Sequence, residues 1–595
     1  MAEITRLFDL LPHYEKSFRP KPDVLSGKEN GEWIKYSISQ YRETVDFVSY
    51  ALLAVGVVKG DKIATIMPSR PEWNFIDMGI MQTGAIHVPI YPTLSESDYG
   101  YILKHAEVKF LFISGKEIFR KVEPILGDVP ALQGVFAVKE TPGTKSFAEF
   151  VESGRSRVDR PLLESAMQVV KSEDLATLIY TSGTTGNPKG VMLSHSNIIS
   201  NFRDVAHIPP VGEQGRALSY LPLCHVYERM LNYLYQYLGI SVYYAESMAT
   251  IGDNMREVKP DILTTVPRLL EKIYDRIMGT GRKLKGMKKF IFFRAINLGL
   301  KYEVDGGNNW YYNLLLKIYS RLVFSKWREA VGGNMKVIVS GGAALQPRLA
   351  RIFWAAGIPV LEGYGLTETS PVISVNDFTE NGVCIGTVGR PLKNVEVAIA
   401  DDGEILCKGP GVMMGYYKEP QLTSEAIDTE GWFHTGDIGK IEPRGHLRIT
   451  GRKKEIFKTS LGKYISPELI ENKFKESSFI DTLMVIGENQ KFAAALVVPD
   501  FPHLKSWCAI KGIEYTTDSE MIALPRIKKR FQKEIEKYNT FFGATEHIKR
   551  IELIDHEWTV DTGELTASLK LRRRFINEKY ENEIKNIFGL KDDEE

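Results

Sequence analysis

Between Tyr180 and Gly190 the chain reads YTSGTTGNPKG: three glycines, four aliphatic hydroxyls and a lysine in eleven residues. Gly183, Gly186 and Gly190 open backbone conformations closed to other residues, so consecutive N–H groups can wrap around an anion. Thr181, Ser182, Thr184 and Thr185 add hydroxyl donors, and Lys189 adds a charge that can neutralise a phosphate. The stretch follows the apolar run Ala176–Ile179, which reads as a short buried strand. Strand followed by glycine-rich loop is the arrangement of a phosphate cradle. It is not the Walker pattern, because Pro188 precedes the lysine and a glycine follows it.

Other stretches are suited to the rest of a nucleotide. Lys336–Ser340 (KVIVS) reads as a buried strand ending in Gly341, Gly342 and Ala343, the way a doubly wound sheet opens a ligand crevice at its strand ends. A helix over 347–356 and a strand over 359–362 then lead to GYGLTETSP, Gly363 to Pro371. Its small residues and the flat ring of Tyr364 suit an adenine slot. Glu368 in that loop would repel a polyphosphate unless a cation stood between them, and Mg²⁺, which takes oxygen ligands, is that cation. Asp437, between glycines in GWFHTGDIG, is placed either to accept both hydroxyls of a ribose or simply to make a turn. His225 in LPLCHVYER, a lone histidine before an apolar helix, reads as a structural hydrogen-bonder at the helix start.

Taken in order, YTSGTTGNPKG, GYGLTETSP, GWFHTGDIG, GRKKEIFK (Gly451–Lys458) and GELTASLKLRRRF (Gly563–Phe575) resemble the motifs of the adenylate-forming enzymes. That family comprises acyl-CoA synthetases, amino-acid adenylation domains and luciferases, and the strings resemble those of its long-chain fatty acid–CoA ligases. GDKIATIMPSRPEW and GAIHVPIYPT, near the start, add scaffold strings of the same kind, and the likeness runs from about residue 30 to 580.

The resemblance implies a fold, a reaction and a residue set. The fold is α/β: a large N-terminal adenylation domain of doubly wound subdomains plus a β-rich subdomain, residues 1–451, and a small mobile C-terminal α+β domain, residues 452–595. The reaction joins a long-chain fatty acid to ATP as acyl-AMP, releasing pyrophosphate, and then to coenzyme A. Lys189, Glu368 and Lys570 would be catalytic, with Thr184 and Glu368 on Mg²⁺. Thr181–Gly186, Lys189, Gly341–Ala343, Glu362–Gly365, Thr367, Asp437 and Arg452 would line the nucleotide, the last two at the ribose. His225 would lie near the acyl carboxylate, Lys454 would be the hinge, and Gly462 would approach the pantetheine arm of coenzyme A. Lys570 stands in an LT-x-S-x-K string beside Arg572, Arg573 and Arg574, rather than in the P-x-x-x-x-G-K context common in the family. Two alternatives keep the fold: an acyl-AMP ligase loading a carrier protein, and a non-catalytic lipid-binding or membrane-associated scaffold.

The elements that must hold these residues are legible in outline. Alternating segments predict helices over 38–55, 77–83, 101–106 and 526–538, and strands over 62–67, 87–90, 110–113 and 551–554, a pattern of α/β type. From Gly386, short alternating runs with frequent glycines predict a β-rich subdomain. A net charge of +1 gives no global pull toward nucleic acid, and four widely spaced cysteines argue against a disulfide framework and for a reducing compartment. No secretory leader or membrane span is evident, so a cytoplasmic location is expected, with peripheral attachment at the inner face of a membrane as an option. That option rests on 282–302, where Leu284, Met287, Ile291, Ala295, Leu298 and Tyr302 recur at helical spacing among seven Lys and Arg. Its bland counterpart is a surface helix with a solvated basic face. The oligomeric state stays open, a homodimer among the options.

Overall fold

The structure is a computed structural model that describes residues 4–181, 187–460, 462–566 and 569–589. The chain divides into two compact units. One takes the chain up to Ala398 with Leu406–His434 and Ile441–Leu447; the other takes Ile399–Ile405, Thr435–Lys440 and the chain from Arg448 onward.

The first unit is built on two sheets. In one, Ile86–Ile90, Lys62–Ile66, Val108–Ile113 and Gly134–Ala137 run parallel in that spatial order, and Leu175–Thr181 joins beside Ile86–Ile90. In the other, Ser241–Tyr244, Arg216–Ser219, Ile262–Thr265, Val337–Ser340 and Val360–Gly365 are likewise parallel and adjacent. Runs such as Val337–Ser340 are apolar at three successive positions, without alternation, because helices cover a parallel sheet on both faces. Two of the flanking helices start earlier than apolar periodicity predicts. Pro71–Gln82 begins with proline at its first position, where a missing N–H costs nothing. Glu96–His105 begins after Ser95, whose hydroxyl accepts from the Asp98 N–H.

The helix Val226–Tyr237 connects the two sheets. It is buried along nearly its whole length, and its neighbours Glu228 and Arg229 point to opposite sheets. Glu228 accepts hydrogen bonds from Ser219 (2.5 Å) and Thr264 (2.8 Å), one residue on each of two strands of the second sheet. Arg229 reaches the first sheet, donating to Thr177 Oγ1 at 2.6 Å and to Asp77 Oδ1 at 2.5 Å. Asp77 also accepts from Tyr233 (2.6 Å) and from His87 Nδ1 (2.6 Å), which leaves His87 Nε2 to accept from Thr65 (2.8 Å). Burial holds His87 down at about 4, so it stays neutral. Asn232, Asn74 and Tyr244 close a second buried ring on the same helix, with bonds of 2.7, 2.7 and 2.8 Å.

The predicted β-rich stretch is a four-stranded sheet ordered Glu396–Ile399, Glu404–Lys408, Phe433–Ile441, Leu447–Arg452. The second unit has its own core around the fully buried strand Ala493–Pro499, which pairs antiparallel with Ile480–Ile486 and parallel with Ile548–Leu553. The basic segment departs from expectation. One helix ends at Lys283 and another starts at Gly286, so 282–302 is not a single amphipathic helix. Gly286 takes a left-handed φ of 54° at the break. Ala295 is buried as its spacing predicts, but Met287 is 70% exposed.

Glu228 gives a pH signature. Burial lifts its carboxyl to about 7 against an ordinary 4.5, even with two hydroxyls donating to it. The folded state therefore holds that proton where the unfolded chain releases it, and stability is lost as pH rises from about 4.5 through about 7. Glu228→Gln should remove this loss. Thermal melts across pH should show the variant gaining on the parent over that window; parallel melting curves would refute the assignment.

Candidate active site

Lys189 is placed by a hairpin. Leu175–Thr181 and Lys189–Ser194 pair antiparallel with Thr181 opposite Lys189. Five residues of the predicted cradle, Ser182, Gly183, Thr184, Thr185 and Gly186, lie outside the described residues. Gly415–Tyr416 adds to the other edge of this hairpin, Tyr416 opposite Val191. There the Lys189 ammonium lies 5.1 Å from the centre of the Tyr416 ring, and the Tyr416 hydroxyl donates to Glu368 Oε1 at 2.9 Å. Lys189, Tyr416 and Glu368 thus form a row: a cation over an aromatic face whose hydroxyl orients a carboxylate. Burial, and then the Glu368 charge, push the Tyr416 phenol far up, so it remains a neutral donor. Sequence reasoning missed Tyr416. Its only signal is GYYK within a glycine-rich strand region, which says nothing of what lies across the sheet.

Glu368 sits in a 3₁₀ turn, Thr367–Thr369, and its carbonyl accepts from the Met413 N–H at 2.8 Å. The chain folds tightly just before it: a side chain at Gly365 would meet the Pro371 carbonyl oxygen at 1.8 Å. Among the described residues no group of three or more His, Cys, Asp and Glu stands ready for a metal. A single oriented carboxylate is nonetheless what Mg²⁺ uses when substrate phosphates and water complete its shell, so Glu368 fits that ion.

The other first-unit candidates lie around the strand ends of the second sheet. Gly341 follows Val337–Ser340 and donates its N–H to the Thr265 carbonyl at 3.0 Å; Gly342 takes a left-handed φ of 80°, and Ala343 is exposed. Glu362 is buried on Val360–Gly365, while Gly363, Tyr364, Gly365 and Thr367 are half-buried. His225 caps the central helix, its Nδ1 accepting from the Tyr227 N–H at 3.2 Å. The Tyr227 hydroxyl donates to the Val339 carbonyl (3.2 Å), and its ring covers Gly341, where a Cβ would stand 3.2 Å from the ring. His225, Tyr227 and Gly341 are therefore brought together. The capping role of His225 is what its bland reading expects.

The second unit holds a separate cluster. Asp437 lies on the strand Phe433–Ile441, not in a turn, and accepts from Arg452 Nε at 3.0 Å on the neighbouring Leu447–Arg452. After that strand the chain turns over 453–455, with Lys454 exposed and Lys453 paired to Glu404 (2.7 Å) and Asp402 (2.6 Å). Gly462, also exposed, takes a left-handed φ of 78°.

Lys570 closes a loop in which its carbonyl accepts from the Thr566 N–H (2.8 Å) and its N–H donates to Thr566 Oγ1 (3.0 Å). The three arginines beside it are engaged elsewhere: Arg572 with the Gly563 carbonyl, Arg573 with Glu455 and Glu471, Arg574 with Glu578. The Lys570 side chain keeps contact with solvent, yet the protein mass around it, and then the Arg452 guanidinium, hold its ammonium below the ordinary lysine range. Asp437, Glu468 and Glu455 pull it the other way.

A family model described as AMP-binding enzyme matches residues 15–417, and one described as AMP-binding enzyme C-terminal domain matches 454–592. The chain belongs to the AMP-binding enzyme family. It is 32% identical over 573 residues to the long-chain-fatty-acid–CoA ligase FadD15 of Mycobacterium bovis, covering 94% of this chain and 93% of that one. It is 31% identical over 602 residues to the human long-chain-fatty-acid–CoA ligase 1, covering 94% and 82%. Among solved structures, a Mycobacterium tuberculosis fatty acyl CoA synthetase superposes with a TM-score of 0.63 at 20% identity over 98% of this chain and 99% of that one. This AMP-binding enzyme shares that fold, including the separate C-terminal unit.

The lowered Lys570 ammonium is measurable. After reductive methylation with ¹³C-formaldehyde, the dimethyl-lysine signal that disappears in Lys570→Arg should titrate below the bulk lysine signals. A signal that titrates with the bulk would overturn the electrostatic picture of this cluster.

Proposed function

We propose that this chain activates a long-chain fatty acid with ATP and transfers the acyl group to coenzyme A, with Lys189, Glu368 and Lys570 as the catalytic set. The observation that supports it most is the Lys189–Tyr416–Glu368 row, found in a chain whose relatives along nearly its full length are named long-chain acyl-CoA ligases. Those names do not favour a carrier-protein ligase or a non-catalytic scaffold.

A carboxylate is unreactive toward thiols because oxide is a poor leaving group. In the first half-reaction a carboxylate oxygen of the fatty acid bonds to the α-phosphorus of ATP, and the bond to pyrophosphate breaks. Anion meets anion, so the residues must place positive charge at the transferring group. Lys189 supplies one such charge. Tyr416 holds Glu368 where its carboxylate would ligate Mg²⁺, with the Thr184 hydroxyl as a second ligand. Mg²⁺, when bound, neutralises phosphate charge. A general base has no task here, since the acid is already ionised at neutral pH. Asp437 and Arg452 would take the ribose and His225 the acyl end.

In the second half-reaction the thiol sulfur of coenzyme A bonds to the acyl carbon, AMP leaves with the electron pair, and the thiol proton passes to solvent. Lys570 serves only the first half-reaction in this reading, which assigns a functional boundary after residue 451 and a hinge to Lys454. Gly462 would then face the pantetheine arm.

Pyrophosphate should be released from ATP when a long-chain fatty acid is added, and acyl-CoA should form only when coenzyme A is also present. Lys570→Ala should cripple adenylate formation but largely spare thioester formation from supplied acyl-adenylate; equal loss in both halves would remove Lys570 from this role. Tyr416→Phe should lower kcat/KM for adenylation about tenfold or more, the scale of a lost hydrogen bond to a charged group. Loss within twofold would mean that the hydroxyl does not orient Glu368.

A further inference from the structure

We propose that the helical stretch Trp310–Phe324 is a docking surface for an anionic lipid bilayer. The inference does not depend on the ligase reading; it places the membrane contact expected of 282–302 chiefly on the helix that follows that segment. The helix Trp310–Tyr319 runs on through a π-helical turn, Ser320–Phe324, into Ser325–Ala330. One side is anchored: Tyr312 is buried and donates to the Leu298 carbonyl at 2.8 Å, and Val323, Phe324 and Trp327 enter the core beneath. The other side is bare. Trp310, Tyr311, Leu314, Ile318 and Leu322 are 77%, 57%, 49%, 45% and 55% exposed. Tyr311, Leu314, Ile318 and Leu322 are three, four and four residues apart, which is one face of a helix. The preceding helix, Gly286–Gly299, packs beside this one and leaves Met287 and Phe290 exposed.

Isolated exposed apolar residues need no explanation, whereas a contiguous stripe of them does. Its charge selects the partner. From Arg282 to Arg328 there are eleven Lys and Arg against two acids, an excess of nine positive charges in a chain whose total is +1. Lys288, Lys289, Arg294, Lys301, Lys317, Arg321 and Lys326 are all exposed. A second copy of this face would bring like charges together, so self-association is disfavoured. Aromatic and aliphatic side chains ringed by lysine and arginine match an interface of acyl chains under anionic headgroups, with Trp310 and Tyr311 at headgroup depth. Among the described residues no helix is long and apolar enough to cross a membrane, so attachment of this kind is peripheral.

The test is co-sedimentation of the full chain with vesicles of phosphatidylcholine alone and of phosphatidylcholine mixed with phosphatidylglycerol. The chain should pellet with the anionic vesicles only, and less as salt rises. Leu314→Asp with Ile318→Asp, and separately Lys288→Glu with Lys289→Glu, should each weaken the partition at least about tenfold. All four side chains are exposed, so folding and fatty-acid-dependent pyrophosphate release in detergent should be unchanged. Failure of the parent to pellet with anionic vesicles, or equal pelleting of parent and variants, would overturn the proposal. So would a lipid-free dimer, seen by light scattering, that the Leu314→Asp/Ile318→Asp change dissolves, since that would assign the face to a second copy.

Discussion

The ion pair between Arg229 and Asp77 ties the large unit together. Both side chains are fully buried, and every nitrogen and oxygen of the two charged groups has a partner: the guanidinium has Asp77, Thr177 and Tyr233, the carboxylate Arg229, Tyr233 and His87. Buried charges are tolerable only when paired and hydrogen-bonded in this way, and removing one partner of such a pair generally costs roughly 3–5 kcal/mol. Thr177 lies on the strand that leads into the predicted phosphate loop, and Arg229 lies four residues after His225, on the helix that His225 caps. The pair therefore locks the register of one sheet against the helix that serves the other. Glu228, one residue earlier, repeats the arrangement toward the opposite sheet with hydroxyls in place of a counter-charge. The same helix thus holds a fully compensated charge on one side and a carboxyl that burial drives toward its neutral form on the other.

Much of the fold was legible because its signals are local. Glycine clusters, β-branched runs and helical spacing marked the strands that feed the candidate site and the helices between them. The errors fall where the deciding information is a cap or a long-range contact. Pro71 and Ser95 begin helices a turn or more before the apolar spacing becomes regular. Of the two readings of Asp437 the turn is the one that fails, because the adjacent strand Leu447–Arg452 draws its segment into the sheet. The basic segment has helical spacing across a break that only Gly286 betrays.

The candidate site was legible to the extent that chemistry is written in residue type. Lys189 and Glu368 were identified from what each could do to a polyphosphate; that they share one tyrosine was not. Tyr416 comes from a strand more than two hundred positions from Lys189 in sequence, and its partnership depends on sheet order, which no local pattern encodes. Family likeness singled out Lys570 among neighbouring cations. The structure adds a physical distinction, since Arg572, Arg573 and Arg574 each hold a partner within their own unit.

The sheet order also bears on how the chain is made. The strand Leu25–Glu29 forms a hairpin with Glu32–Tyr36 and pairs on its other side with Ser241–Tyr244, and Lys21 reaches the carbonyls of Glu213 and Gly239. During synthesis the first hairpin has no lateral neighbour until residue 244 has left the ribosome. At roughly 5–20 residues per second that interval is on the order of ten to forty seconds. For that time a strand edge with unpaired N–H and C=O groups is open to solvent, so the nascent chain, rather than the completed protein, is where a holding chaperone has most to do.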